Sequence, residues 1–346
     1  MADVSHEVRF PSIFSVVKEG FDAAFPFAPA YRFSQLRTLR MKGYDDIALY
    51  KTLGKYTVSF LEKAFPNGLF SSQATDVADS REATKIIVRL RDGSEVESVF
   101  ISPAGGKDAT ACLSSQVGCN CKCSFCSTAS IPFVRNLEDY EIVEQFYHLK
   151  RICGQIRNIV FMGMGEPLLN LNAVISAAKF FLTEEGLSAR NITVSTSGIT
   201  SGIYDIANKF PEVKLAFSIV CADESKRREL VPVSKANPLT EVKKALLKYQ
   251  SKNRRRITLA YPLFAGVNDF KSDAVALKAF AAGLICHVNL IPFNEGGRGK
   301  YKRPSDAEIK RFERFLDNCS ISHSVRYSKG GEVNGACGEL ALKRSK

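Results

Sequence analysis

The hydrophobic positions change period along the chain. Between residues 31 and 65 they recur at helical spacing, with breaks near Gly43 and Gly54. Between residues 84 and 101 they alternate with polar positions on both sides of Asp92-Gly93, a strong signal for a tight turn. These patterns predict a small helical module followed by a β-hairpin.

Beyond the hairpin, short apolar runs alternate with longer helical stretches, as a βα architecture requires. Strands are predicted at residues 109–113, 158–162, 192–195, 213–219, 257–261, 288–291 and 324–327. Helices are predicted at residues 139–152, 171–182, 200–209, 238–250, 272–282 and 305–318. Six such units predict an α/β fold built on an open, partial (βα)6 barrel.

The patterns divide the chain into four predicted parts. Residues 1–30, rich in phenylalanine, proline and alanine, lack sustained periodicity and are interpreted as an N-terminal extension with one helix. A helical accessory domain is predicted for residues 31–83, a linking β-hairpin for 84–104 and the barrel core for 105–346. The accessory domain is expected either to contact a partner or only to pack on the core.

The composition indicates a folded protein that binds a polyanion. The chain has 346 residues, 45% of them hydrophobic, and a net charge of +12. No apolar run approaches the roughly 18 residues of a membrane span, and the N-terminus lacks a signal peptide's regions, which predicts no membrane contact and a cytoplasmic location. The positive charge favours RNA as the partner, although each basic run alone could be a solvated surface. These runs are Arg32, Arg37, Arg40 and Lys42; Lys226, Arg227 and Arg228; Arg254, Arg255 and Arg256; and Arg298, Lys300, Lys302 and Arg303.

The cysteines point to a metal centre. Cys119, Cys123 and Cys126 have the spacing C-x3-C-x2-C, and five of the ten cysteines lie between residues 112 and 126. Three close thiolates can hold an iron–sulfur cluster and leave one iron open for another ligand. A zinc knuckle or a group of reduced cysteines is the alternative, but zinc normally takes four ligands and no histidine lies near this loop. The pattern therefore favours a cluster in a reducing compartment.

Further segments accompany these cysteines. They are Phe161 to Asn170, which contains Gly165-Glu166-Pro167, Cys112 to Cys119, Ser195 to Gly198, and Gly335 to Leu340. With this combination the chain resembles the radical S-adenosylmethionine (SAM) superfamily, and within it the RlmN/Cfr family of RNA adenosine methyltransferases, from about residue 30 to about residue 340. The resemblance implies a radical SAM barrel and an accessory domain that helps to grip RNA. Since the segments follow successive predicted strands, they are expected to share one rim of the barrel.

The resemblance also implies the cofactors and their ligands. Cys119, Cys123 and Cys126 would bind one [4Fe-4S] cluster, and the open iron would chelate SAM, which the cluster cleaves to a 5′-deoxyadenosyl radical. Two SAM molecules would be used per turnover. The positions matching the family's SAM contacts are Gly165, Glu166, Ser195, Ser218, Ile219, Val220 and Asn294.

Three further residues match catalytic positions of the family. Cys337 would accept a methyl group from the first SAM and become S-methylcysteine, whose methyl carbon then joins the adenine. Cys112 would attack the sulfur of Cys337, forming a transient disulfide that releases the product. Glu97 would accept the ring proton, although it lies two residues farther from Cys112 than expected. The alternative for both cysteines is a buried structural role.

The chain departs from the family pattern at three positions. Val220 stands where the family usually has histidine, which puts a ring contact to SAM in doubt, and Glu295 replaces a common proline. Cys121 lies between two predicted cluster ligands. It is expected either to point to solvent or, against the spacing, to compete for iron.

The resemblance implies methylation of adenosine carbon 2 in 23S ribosomal RNA and in transfer RNA. Pro167 agrees with the RlmN branch, since the Cfr branch, which modifies carbon 8, tends to carry alanine there. A divergent paralogue with another RNA target and a catalytically silent RNA-binding protein are the alternatives. The resemblance also implies a monomer that receives electrons from a flavodoxin-like donor.

Overall fold

The computed structural model describes residues 10–24, 29–103, 108–295 and 299–344; residues 1–9 and 25–28 of the predicted extension, residue 104 of the predicted hairpin and Arg298 of a basic run lie outside them. The N-terminal part contains three helices, α1 (Lys18–Ala24), α2 (Tyr31–Arg40) and α3 (Lys55–Ala64). A 3-10 helix, Ile47–Leu53, connects the last two. The helical pattern predicted between residues 31 and 65 is thus confirmed.

Three antiparallel strands follow, β1 (Gln73–Asp79), β2 (Ala83–Arg89) and β3 (Glu95–Ile101). The predicted hairpin is β2 and β3, and Asp92 supports its turn by accepting a hydrogen bond from the Ser94 amide at 2.9 Å. The helical accessory domain predicted for residues 31–83 also contains β1, a strand that was not predicted. This strand consists mostly of polar, half-exposed residues, so its pairing with β2 and not an apolar alternation defines it.

The barrel is the predicted one. Its parallel strands are β4 (Thr110–Cys112), β7 (Asn158–Phe161), β8 (Ile192–Thr196), β9 (Lys214–Ser218), β10 (Ile257–Leu263), β11 (Cys286–Pro292) and β12 (His323–Val325), while β5 (Gln116–Val117) and β6 (Arg135–Asn136) form a separate pair. The parallel strands are adjacent in chain order, and β3 pairs with β4, so that the hairpin extends the barrel sheet.

Helices connect the parallel strands of the barrel. They are α4 (Asp139–Cys153), α5 (Leu171–Thr183), α6 (Thr200–Lys209), α7 (Glu224–Leu230), α8 (Leu239–Asn253), α9 (Lys271–Ala281) and α10 (Asp306–Asn318). Local sequence explains their starts, as at α10, where Ser305 and Glu308 form a capping box. Helix α7 was not predicted, because seven mostly charged residues give no apolar period. No helix among the described residues has the length and apolar character needed to cross a membrane.

The N-terminal helices share one hydrophobic core with the barrel. Phe14 stacks on Tyr147 of α4, with ring centroids 4.4 Å apart. Arg37 and Arg40 of α2 both donate to Glu184 at the end of α5, at 2.7 and 3.0 Å, and Arg40 is buried. Part of the first basic run therefore connects α2 to the end of α5, and Arg40 is not a surface contact for RNA.

A buried carboxylate on α4 joins this N-terminal part to the barrel. Glu144, fully buried, accepts hydrogen bonds from the hydroxyls of Ser12, Ser71 and Ser72 at 2.5, 2.9 and 2.5 Å and from the Ser71 amide at 2.7 Å. Ser72 also lies 3.1 Å from the ring of buried His148. Burial raises the pKa of Glu144, and these hydrogen bonds oppose that rise.

Replacing Glu144 with alanine is expected to lower the free energy of unfolding by about 3 kcal/mol, because several buried donors lose their acceptor. Glu144→Gln should cost less, since the amide oxygen still accepts. As a control, Glu241→Ala on α8 removes a half-exposed partner of Lys244 and should cost at most about 0.5 kcal/mol. Urea denaturation followed by circular dichroism measures all three variants; equal losses for Glu144→Ala and Glu241→Ala would refute the assignment.

Candidate active site

One cavity of about 220 Å³ collects most of the predicted site residues at the carboxyl ends of the parallel strands. All five thiols of the predicted cluster and catalytic pair line it. The predicted residues that line it are Cys112, Cys119, Cys123, Cys126, Cys337, Gly165, Glu166, Ser195, Ser218 and Val220. Three others, Glu97, Ile219 and Asn294, are absent from its lining.

The loop after β5 carries the three predicted cluster ligands. Burial raises the pKa of the Cys123 and Cys126 thiols, and the charge of Cys119 raises both further, which indicates that the three sulfurs lie close together. The pKa of Cys119 is lowered instead, because the Cys121 thiol donates a hydrogen bond to it. The loop turns back on itself through a hydrogen bond from the Cys126 amide to the Cys123 carbonyl at 3.1 Å.

Cys121 is buried, so the expectation that it points to solvent is wrong. Its sulfur lies 3.4 Å from the Ser197 hydroxyl, and its thiol pairs with Cys119. Folding of the loop around Lys122, whose φ is +51°, turns this side chain inward, which spacing alone does not reveal.

The donor set fits an iron–sulfur cluster. Thiolates are the usual ligands of such clusters, and each cysteine binds a different iron. Cys119, Cys123 and Cys126 supply three thiols to one cavity. Among the described residues, no three histidine, cysteine or acidic side chains are arranged to hold a single metal ion. A neighbouring buried carboxylate, that of Glu166, is occupied by hydrogen bonds of its own.

Glu166 is held rigidly beside the cysteines. Its carboxylate accepts hydrogen bonds from the amide and the hydroxyl of Ser197, both at 2.7 Å, and from the Leu168 amide at 3.1 Å. Its own amide donates to Gln116 at 2.8 Å. Burial raises the pKa of Glu166, and the donors from Ser197 act against this. Ser197 and Gln116 were not predicted to hold Glu166 in place, although Ser197 lies within the segment Ser195 to Gly198.

Gly165 is required by the close approach of two loops. Its φ is +96°, and a Cβ built there would lie 2.6 Å from the Cβ of Gln116. Any side chain would therefore push apart the loops that place Glu166.

Gly165→Ala is expected to weaken SAM binding to the reconstituted protein at least about tenfold, since Glu166 would be displaced. The matched control is Gly283→Ala. Gly283 has a similar φ of +82° but no heavy atom within 4 Å of its built Cβ, so this variant bears only the backbone strain of about 1 kcal/mol. Equilibrium dialysis with labelled SAM compares them, and equal affinities would contradict the steric argument.

The loop after β9 has an unusual backbone. Val220 lines the cavity with a φ of +60°, a region that β-branched residues rarely adopt. Ile219 is fully buried in the core, and its amide and carbonyl are both hydrogen-bonded within the protein, so it supports this loop and does not face the cavity. The family histidine contact has no side-chain substitute at Val220, which presents a hydrocarbon surface to the cavity.

Cys112 and Cys337 share this cavity, and the charge of Cys337 affects the pKa of Cys112. Cys112 lies at the end of β4, and burial together with the charge of Cys337 raises its pKa to about 12. Cys337 is an exposed residue, yet the protein packed around its sulfur raises the pKa of that thiol, whereas the positive charge of Arg326, another cavity residue, lowers the pKa of both cysteines. Asn294 donates to the Cys337 carbonyl at 3.2 Å and so supports this loop from outside the cavity lining. Both cysteines are free thiols.

Glu97 lies away from the cavity. It is fully buried on β3 and forms an ion pair with Lys85 at 2.7 Å. Its second carboxylate oxygen has no hydrogen-bond partner among the described residues. The role of Glu97 as a proton acceptor stays a prediction, and it requires a path from the cavity to this oxygen.

The chain is similar to known proteins in sequence and in fold. Residues 113–277 match the family model described as the radical SAM superfamily. A protein of Treponema denticola, named probable dual-specificity RNA methyltransferase RlmN, is 47% identical over 64% of this chain and 65% of its own length. A protein of Aquifex aeolicus with the same name is 39% identical over 91% of this chain and 92% of its own.

A solved structure is similar over nearly the whole chain. It is a radical SAM methyltransferase from Sphaerobacter thermophilus, 33% identical, with a TM-score of 0.89. The superposition covers 96% of this chain and 99% of that one. The barrel and the N-terminal helices thus occur together in another protein.

Proposed function

Because the chain belongs to the RlmN family of radical SAM enzymes, we propose that it methylates carbon 2 of adenosine in RNA, with 23S ribosomal RNA and transfer RNA as substrates. The observation that carries this proposal is the meeting, in a cavity lined by six cysteines, of the five thiols predicted for the cluster and for methyl transfer. Three of these five would hold a cluster, and the other two would accept and release a methyl group. A silent RNA-binding protein would have no use for this arrangement.

The cofactors would be one [4Fe-4S] cluster, held by Cys119, Cys123 and Cys126, and two molecules of SAM per turnover. When bound, the cluster supplies the electron that cleaves SAM into methionine and a 5′-deoxyadenosyl radical. Radical chemistry suits this substrate, because carbon 2 of adenine is too weakly acidic for an ordinary methyltransferase.

The protein's own groups would position SAM around that centre. Glu166, fixed by Ser197, accepts from the amino group of SAM through a charge-assisted hydrogen bond. Ser195 and Ser218 face the cavity and can bond the ribose and adenine. Val220 contributes an apolar wall, Ile219 supports the same loop from the core, and Asn294 acts by holding the Cys337 loop.

Cys337 would carry the methyl group as S-methylcysteine. Its thiol must lose a proton first, and Arg326 favours the thiolate against the opposing effect of burial. After the methyl carbon has bonded to adenine, the thiolate of Cys112 attacks the sulfur of Cys337. A disulfide forms between them, the bond from that sulfur to the methyl carbon breaks, and its electron pair stays with that carbon, which takes up a proton to become the methyl group of the product. Glu97 would take the ring proton.

RNA would approach the open side of the cavity. The net charge of +12 favours a polyanion, and residues 31–83 would contribute as an accessory RNA-binding domain. The linking hairpin at 84–104 and the core at 105–346 complete the proposed division. We further propose a cytoplasmic monomer with a flavodoxin-like electron donor.

The test is anaerobic reconstitution with iron and sulfide, followed by SAM, a reductant and either ribosomal or transfer RNA. Mass spectrometry of the digested nucleosides should detect 2-methyladenosine. Exclusive 8-methyladenosine would instead place the chain's activity with the Cfr branch. Cleavage of SAM without any methyladenosine would favour a divergent paralogue, and no cleavage would favour the silent binder.

A further inference from the structure

Arg227 of α7 is a fully buried cation beneath the proposed SAM site. Arg227 was predicted to belong to a basic run at the surface, and that prediction is wrong. Burial lowers its pKa to about 10, which leaves the guanidinium charged at neutral pH. Among the described residues it has no carboxylate within ion-pair distance, and its Nε has no hydrogen-bond partner.

The guanidinium joins the loops that follow β8 and β9. Its Nη2 donates to the Ser197 carbonyl at 2.7 Å, and its Nη1 donates to the carbonyls of Ser218, at 3.1 Å, and Ile219. Its central carbon lies 5.0 Å from the centroid of the Phe217 ring. One side chain therefore fixes the separation of two loops that carry proposed SAM contacts.

These loops would not hold their shape unaided. The positive φ of Val220 costs energy, and the Cys221 amide donates to the Ile219 carbonyl at 2.6 Å in a tight turn. Asn268, also buried, donates to the Val220 carbonyl at 2.8 Å. Arg227 and Asn268 thus both donate hydrogen bonds to carbonyls of the strained turn. Ser197 is hydrogen-bonded to Arg227 and to Glu166, and so connects this turn to Glu166.

We propose that Arg227 is a positioning residue that aligns the loops after β8 and β9 for binding SAM. The inference rests on the proposed function only as far as the cluster and SAM are concerned. Its test needs no RNA, so it can fail while methyl transfer stands.

The experiment uses the full-length, anaerobically reconstituted protein. Arg227→Gln removes the positive charge and the planar guanidinium that donates several hydrogen bonds, whereas Arg227→Lys keeps the charge and loses the guanidinium geometry. Arg228→Gln is the control. The neighbouring Arg228 is half-exposed, and its ion pair with Glu224 is long at 3.9 Å. Iron content and circular dichroism normalise each sample to its folded, loaded fraction. SAM affinity is read from the electron paramagnetic resonance (EPR) signal of the reduced cluster.

We expect the SAM dissociation constant to rise at least about tenfold in both Arg227 variants. Arg228→Gln should match the wild type. A merely structural role would reduce the loaded fraction without changing the SAM affinity of the protein that remains loaded. Wild-type affinity in Arg227→Lys, or in Arg227→Gln where it loads, would overturn the proposal.

Discussion

Cys337→Ala is expected to abolish RNA methylation, with a loss of at least about 1,000-fold, while the iron content stays at the wild-type level. The thiol would be the only carrier of the methyl group, so no other side chain of the cavity can replace it. Cys286→Ala is the matched control. Cys286 begins β11 at the opposite end of the barrel and does not line the cavity, and its loss should leave the rate unchanged.

Cys112→Ala should give a different defect from the same cavity. The methyl carbon would still bond to adenine, but no thiolate would attack the sulfur of Cys337. Protein and RNA should therefore accumulate as a covalent complex that migrates slowly in a denaturing gel and disappears on ribonuclease treatment. Wild-type turnover in Cys337→Ala, or rapid product release from Cys112→Ala, would contradict the assigned roles.

Alanine at Cys119, Cys123 or Cys126 is expected to remove the cluster and all SAM cleavage. Each thiolate would bind one iron, and a centre left with two protein ligands does not persist through gel filtration. Iron should fall from about four atoms per chain to well below one. Buried Cys121 provides the control within the same loop, because it pairs with Cys119 and Ser197 instead of serving as a predicted ligand.

Cys121→Ala should retain its iron and its absorbance near 400 nm. If it instead lost the cluster while one of the three other variants kept it, the C-x3-C-x2-C interpretation would be wrong and Cys121 would be a ligand. The comparison is sharp because all four thiols lie within eight residues of one loop.

Regular elements of the barrel were predictable from local patterns. The helix predicted at residues 200–209 is observed as Thr200–Lys209. Strand β10 was predicted to end at residue 261 but continues to Leu263, because its pairing with β11 persists through Pro262. Pairing partners decide such ends, and a single run of residues does not contain that information.

Charge patterns were the poorest guide. Arg40 and Arg227 were assigned to basic surface runs, yet both are buried and bonded to distant parts of the chain. A run of charges records only what is adjacent in sequence, whereas burial depends on which face of α2 or α7 packs inward.

The candidate site was predictable where motif residues follow successive strands. Cys119 and Glu166 meet because the loops after parallel strands share one rim of the barrel. The supports were not predictable, since Ser197 and Arg227 act through contacts between loops that are 30 residues apart. The position of Glu97 outside the cavity lining was not predictable either. Its ion pair with Lys85 depends on the register of β2 and β3, which the local sequence does not reveal.

The most direct test of the central claim is EPR spectroscopy of the anaerobically reconstituted, reduced protein, recorded before and after addition of SAM. Three cysteine ligands and one open iron predict about four irons per chain and a cluster signal that changes when SAM binds. A signal that is indifferent to saturating SAM, or a preparation that binds no iron, would contradict the account.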